Sequence, residues 1–218
     1  MSQSAAKNPA IFNGIRKLLE NDSGTLRKLH FINLNLGDSA WRKLAQGIAK
    51  STTLEKLKFN RMHFEKNHHH LELLIEAINK SQSIESIDLS CNELSDRYGS
   101  LIAGFVQSQI EMRDEYKWKS CLRIGREPSV DIINKGLKEF ILHHNSLGEN
   151  FMKSMSQRIK NDDYLRFIDL RYNKLSSDLI MGFLKTVNSN QYLIGLDLRG
   201  NIGYADNENV KIAVSHYL

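Results

Sequence analysis

Eight histidines and two cysteines are the side chains of this 218-residue chain best suited to hold a metal ion, and their spacing is the first thing to test. His63, His68, His69 and His70 crowd into one turn ahead of the apolar positions Leu71, Leu74 and Ile75, and His143–His144 close another apolar stretch. A zinc site needs Cys or His ligands converging on one tetrahedral centre, whereas three consecutive histidines on a helix point in three directions. No cysteine accompanies them in sequence, and Cys91 and Cys121 have no CxxC or partner spacing. They read as free thiols, and the histidines as a solvated loop. We therefore expect no metal and no cofactor.

Catalytic patterns are missing as well. The chain contains no GxxxxGK[ST], GxSxG or HExxH, and no carboxylate pair at a spacing independent of its repeats, so no enzyme activity is expected. Charge leaves a recognition surface to consider. Residues 1–70 carry twelve Lys/Arg against five Asp/Glu, a net +7, while the remainder is −2. Such an excess suits an acidic partner or is simply solvated. It is too small and discontinuous for a dedicated nucleic-acid binder, so none is expected, despite a sequence pI near 9.1.

The elements that position these side chains follow from one 11-residue pattern, LxxLxLxxNxL, starting at Leu26, Leu54, Ile84, Leu137, Leu165 and Leu193. The starts are 28, 30, 53, 28 and 28 residues apart, the period of a long leucine-rich repeat with one insertion. Positions 1, 4, 6 and 11 point inward, and positions 3 to 7 form a short strand. Asn92, Asn145, Asn173 and Asn201 at position 9 bond the backbone where the chain leaves the strand. Leu34 and Met62 replace that Asn in the first two units, where the turns should be less regular.

Amphipathic segments follow the strands, such as Trp41, Leu44, Ala45 and Ile48 after Asp38, or Ile180, Phe183, Leu184 and Val187 after Ser176. Ile11, Ile15, Leu18 and Leu19 read as the helix of a partial preceding unit, and Val210, Ala213, Val214 and Tyr217 as the last helix. The expected fold is α/β, a leucine-rich-repeat horseshoe solenoid of ribonuclease-inhibitor-like type, with parallel strands on the concave face and helices on the convex face. It should be one domain over 1–218, with an insertion at about 108–133. No apolar run reaches membrane-spanning length, and Met1 to Pro9 lacks the apolar core of a signal peptide. A protein of the cytosol or nucleus with no membrane partner is expected.

Outward positions of the strands give the candidate binding face. Position 3 is Lys28, Lys56, Ser86, Glu139, Phe167 and Gly195; position 5 is His30, Lys58, Asp88, Ile141, Asp169 and Asp197; position 7 is Ile32, Asn60, Ser90, His143, Arg171 and Arg199. Lys28, His30, Lys56, Lys58 and Arg61 make one end basic, whereas His143, Arg171 and Arg199 alternate with aspartates at the other. In the insertion, Trp118, Arg123 and Arg126 have the composition of an interface anchor, though Trp118 could equally cover the neighbouring helix. Tyr98, Leu101, Ile102, Phe105, Val106 and Ile110 lead into it at helical spacing, so its first half should prolong a helix.

The insertion also carries a resemblance. Met112–Arg113, Glu115, Trp118, Leu122–Arg123, Arg126 and Pro128, followed by Gly136–Leu137, resemble the segment that interrupts the repeats of the 78 kDa centrosomal protein family. Tyr164–Leu165–Arg166, Ile168–Asp169–Leu170 and Leu196–Asp197–Leu198–Arg199 with Asn201 are similar to that family's final repeats. The resemblance implies a noncatalytic adaptor of the centrosome, centriole and ciliary basal body, acting in cilium assembly. It also implies a cullin-type ubiquitin ligase subunit and a polo-like kinase of centriole duplication as company. The alternative class is a leucine-rich-repeat GTPase-activating protein, whose acidic C-terminal run is matched here only by Asp206 and Glu208. A generic ribonuclease-inhibitor-like binding module would leave the insertion unexplained.

Overall fold

The computed structural model describes residues 9–21, 24–124, 136–205 and 207–215. Helix α1 (Pro9–Leu19) is followed by β1 (Lys28–Ile32), α2 (Asp38–Lys50), β2 (Lys56–Asn60), α3 (His68–Lys80) and β3 (Ser86–Asp88). A 3₁₀ turn (Asp96–Tyr98) leads into the long α4 (Gly99–Ile124). Then come β4 (Glu139–Ile141), α5 (Glu149–Ile159), β5 (Phe167–Asp169), α6 (Ser177–Val187), β6 (Gly195–Asp197), α7 (Ile202–Ala205) and α8 (Glu208–Ser215).

The six strands form one parallel sheet in chain order, β1 to β6, which is a solenoid-like α/β arrangement. Pairing follows the repeat: Lys28 opposite Lys56, Lys56 opposite Ser86, Ser86 opposite Glu139, Glu139 opposite Phe167, Phe167 opposite Gly195. The 53-residue interval therefore leaves the register intact. Strands β1 and β2 run from position 3 to position 7, but β3 to β6 end at position 5, because from there the backbone begins to turn.

Burial follows the pattern. Leu57, Ile87, Phe140, Ile168 and Leu196 at position 4 and Phe59, Leu89, Leu142, Leu170 and Leu198 at position 6 form a continuous core. Helices α2, α3, α5 and α6 close that core with one face each, through Trp41, Leu44 and Ile48 in α2 and Ile180, Phe183 and Leu184 in α6, for instance. In α1 the buried residues are Phe12 and Leu19, and Leu18 faces out, a rotation from the expected stripe. Val210 and Val214 are buried in α8, while Tyr217 lies outside the described residues.

The position-9 asparagines join neighbouring repeats. Asn92 Nδ2 donates to the carbonyls of Phe59 and Leu89, at 2.6 and 2.8 Å, while its Oδ1 accepts from Met62 N at 2.7 Å. Asn201 repeats this on Leu170, Leu198 and the amide of Asn173. Each buried turn thus finds partners for backbone groups that have left the sheet. In the second unit, where Met62 replaces the Asn, Asn60, buried at position 7, donates to the Ser90 carbonyl and to Asp88 Oδ1, both at 3.1 Å.

The eighth position adds a second regularity. Asn33, Arg61, Cys91, His144, Tyr172 and Gly200 all have positive φ, between 52° and 74°. Five carry side chains, so the left-handed turn is imposed by the stack and not by glycine. At Gly200 a Cβ would stand 2.4 Å from the Tyr172 ring, so the ring of one repeat occupies the side-chain space of the next.

Candidate protein-interaction surface

The third and fifth columns are neighbours across the sheet as the register requires, but outward-facing does not mean exposed. Asp88, Asp169 and Asp197 are only 6%, 3% and 4% exposed. Each is covered by a cation and turned toward its own backbone. Asp88 Oδ1 accepts from Ser90 N at 2.9 Å, Asp169 Oδ1 from Arg171 N at 3.0 Å, and Asp197 Oδ1 from Arg199 N at 3.2 Å. A position-5 Asp thus closes the turn at position 7, which is a structural task.

The cations lie over these carboxylates. Lys58 Nζ is 2.6 Å from Asp88, and Arg171 Nε and Nη2 fork onto Asp169 at 3.1 and 2.7 Å. Arg171 also reaches Asp197 at 3.3 Å, and Arg199 Nη2 holds the same carboxylate at 2.6 Å. Burial pushes the Asp88 and Asp197 carboxyls up, but the hydrogen bonds from Lys58 and Ser90, and from Arg199, outweigh it, so both titrate below the ordinary range. Hydrogen bonding to Asp169 raises Arg171 further. Lys56 lies 3.7 Å from Glu139, two strands away, and Lys28, His30 and Arg61 complete the basic end at the β1–β2 edge. Lys56, Lys58, Arg171 and Arg199 are therefore positioned by carboxylates and keep part of each cationic side chain open to solvent.

The long helix supplies the aromatic feature. Ile102, Ala103, Phe105, Val106, Gln109, Ile110 and Arg113 are buried at helical spacing, and the helix continues through Ile124, so the insertion does prolong it. From Asp114 to Lys119 every residue is exposed. Trp118 is 66% exposed, and Tyr116 lies nearby at 43%. Trp118 therefore does not serve to cover a neighbouring helix. The side chain of Arg123 and the whole of Arg126 fall outside the described residues.

Two readings of the histidines change. His68 to His70 form the first turn of α3, not a solvated loop, and His70 is buried: it stacks on Trp41 with centroids 5.3 Å apart. Its Nε2 lies 2.7 Å from Asp38 Oδ1, and that hydrogen bond holds the Asp38 carboxyl below its usual value. His143 and His144 do have a cysteine beside them. Cys91, His143 and His144 each place a ligand atom within 4.8 Å of the others. The 53-residue interval separates them in sequence, yet the sheet puts their turns side by side, with Cys91 N donating to the His143 carbonyl at 3.0 Å. Tabulating position 8 beside positions 3, 5 and 7 would have exposed this adjacency.

No helix among the described residues is long and apolar enough to cross a membrane. No family model matches the chain. Two solved structures follow a similar path: the tropomodulin C-terminal domain of Caenorhabditis elegans (13% identity, covering 95% of this chain and 90% of that one, TM-score 0.45) and Leiomodin-1 actin-binding site 2 (9%, 97% and 89%, TM-score 0.46). Among curated proteins, Centrosomal protein of 78 kDa from Mus musculus is 27% identical over 180 residues, covering 82% of this chain and 22% of its own length. The Homo sapiens protein of that name is 26% identical over 180 residues, covering 82% and 26%. The chain thus spans about a quarter of the length of these relatives. The chain shows weak homology, over 82% of its length, to the 78 kDa centrosomal proteins.

Proposed function

We propose that this chain is a noncatalytic protein-interaction scaffold of the centrosome, built as one leucine-rich-repeat horseshoe of ribonuclease-inhibitor-like type over 1–218. The observation that carries the reading is the relationship to the centrosomal proteins, which runs over 180 residues and therefore through repeats and insertion alike. Two surface features support it. The sheet face holds Lys28, Lys56, Lys58, Arg171 and Arg199 in a fixed array, and α4 carries an exposed tryptophan, the residue type most enriched at binding hot spots. The finer role is that of an adaptor at the centriole and ciliary basal body, with a cullin-type ubiquitin ligase subunit and a polo-like kinase of centriole duplication as the first partners to assay.

The test is direct binding of each purified candidate to this chain, its Trp118→Ala form, and a form with Lys28→Glu and Lys56→Glu, which leaves the Lys58–Asp88 pair intact. Saturable binding lost in at least one variant, with circular dichroism unchanged, supports the scaffold reading and names its surface. Equal binding by all three forms rejects the surface, and acceleration of GTP hydrolysis in a small-GTPase panel rejects a pure scaffold.

A further inference from the structure

The cluster of Cys91, His143 and His144 touches the recognition surface only through His143 at position 7, and its sulfur and imidazole donors differ from the ion pairs around it. Cys91 and His144 occupy the same left-handed turn position in adjacent repeats, with φ of 58° and 54°, so their Cα–Cβ bonds leave equivalent backbone sites. His143 precedes His144 and is half-buried, as is Cys91, whereas His144 is open to solvent. The two Nδ1 atoms are 2.9 Å apart, and one ligand atom from each of the three residues falls inside a 4.8 Å span.

We propose that these three side chains form a site for a soft or borderline divalent cation, zinc by the chemistry of the donors, at the junction of the third and fourth repeats. One sulfur and two imidazole nitrogens are a ligand set that carboxylate-preferring cations such as magnesium and calcium do not select. Tetrahedral zinc holds S and N ligands about 3.3 to 3.5 Å apart, given bond lengths near 2.3 and 2.0 Å. The present span exceeds that by little more than 1 Å, and His144 is exposed and free of close packing on its solvent side. Three protein ligands leave a fourth position for water or for a side chain of a bound protein.

The neighbours fit the assignment. Tyr172 flanks the site, its ring centre 4.3 Å from that of His144, and shields one side of it. The Asp88 and Asp169 carboxylates, two to three positions earlier in the pattern, are held by Lys58 and Arg171 and do not compete for the ion. Binding would tie the turn after β3 to the turn after β4, and so brace the two repeats against each other. The inference does not depend on the scaffold reading.

Cobalt(II) is the probe, because it adopts the zinc geometry and reports sulfur ligation through a thiolate-to-metal charge-transfer band. The whole chain is used with Cys121→Ser, so that Cys91 is the remaining thiol, under reducing conditions. One equivalent of cobalt, displaced by zinc, with tetrahedral bands and a charge-transfer band, is the expected result. Cys91→Ser should abolish the charge-transfer band. His143→Phe and His144→Phe should each weaken uptake by about tenfold or more, since even outer-shell partners of a metal contribute that much. Bound zinc should also raise the Tm of the parent form and not of Cys91→Ser. No uptake, uptake without a sulfur band, or uptake unaltered by Cys91→Ser and His143→Phe with native circular dichroism would overturn the proposal. In the last two cases His68–His69 would hold the ion.

Discussion

The Arg113 guanidinium lies 4.4 Å from the centre of the Tyr164 ring, and its Nη2 donates to the Leu137 carbonyl at 2.7 Å. One residue of α4 thus holds both the strand that follows the insertion and the loop before β5. Burial lowers its pKa to about 10, with Asp162 and Tyr164 opposing that loss of charge. Gly136, at φ 96°, makes room: a Cβ there would meet Arg113 Nε at 2.3 Å. Arg113→Met should lower stability by about 2 to 4 kcal/mol, from the lost charged hydrogen bond and cation–π contact. Urea unfolding measures it, and a change below about 0.5 kcal/mol would show that the insertion is anchored elsewhere.

Asn173 Nδ2 donates to Leu142 and Leu170 carbonyls at 3.1 and 3.0 Å, and its Oδ1 accepts from Leu147 N at 3.0 Å. Asn173→Ala leaves three buried backbone groups without partners, and a loss of about 3 kcal/mol is expected. Surface polar residues such as Ser189 should tolerate alanine within about 0.5 kcal/mol. Paired denaturation midpoints of the two variants settle the comparison.

Helix α5 is capped from another repeat. Asp96 Oδ1 accepts from the amides of Gly148 and Phe151 at 2.8 and 3.0 Å, and Oδ2 from Asn150 at 2.8 Å. Gly99 permits the approach, since a Cβ there would stand 2.4 Å from Phe151 N. Asp96→Ala should destabilise by about 1 to 2 kcal/mol. Hydrogen exchange should show faster opening of 149–152, and protection left unaltered there would contradict the cap.

The Asp88 carboxyl titrates below its ordinary 3.8, because hydrogen bonds from Lys58 and Ser90 outweigh the effect of burial. A carboxyl depressed in the folded state adds stability that is present above the unfolded pKa, near 3.9, and is lost as pH falls through the folded pKa. Lys58→Met removes the opposing cation, so the Asp88 pKa should rise and acid destabilisation begin at higher pH. Carboxyl NMR titration of both forms tests the sign. An unmoved Asp88 would mean that Ser90 and Asn60 hold it without the cation.

Much of this was legible in the chain. The repeat spacing located all six strands, and the Asn at position 9 announced the turn bonds that Asn92 and Asn201 make. The continuity of α4 into the insertion followed from the spacing of Phe105, Val106 and Ile110. What spacing could not convey was depth. Asp88, Asp169 and Asp197 face outward in the pleat but are covered by long cations from their own and adjacent strands, a packing fact with no signature in periodicity. His70 looked like one of a polar run because its burial depends on Trp41 and Asp38, about thirty residues away. Cys91 and His144 were hidden from each other by the inserted residues, although the stack makes them neighbours.

The measurement that bears most directly on the scaffold account is the localisation of a tagged form of this chain in ciliated cells against a centriole marker, beside its Trp118→Ala and Lys28→Glu/Lys56→Glu variants. Trp118, Lys28 and Lys56 are exposed, so both variants should keep the wild-type Tm within about 2 to 4 °C. The account predicts focal signal at centrioles for the wild type and its reduction in at least one variant at equal protein level. Diffuse signal for the folded wild type, or focal signal equal in all three, would contradict it.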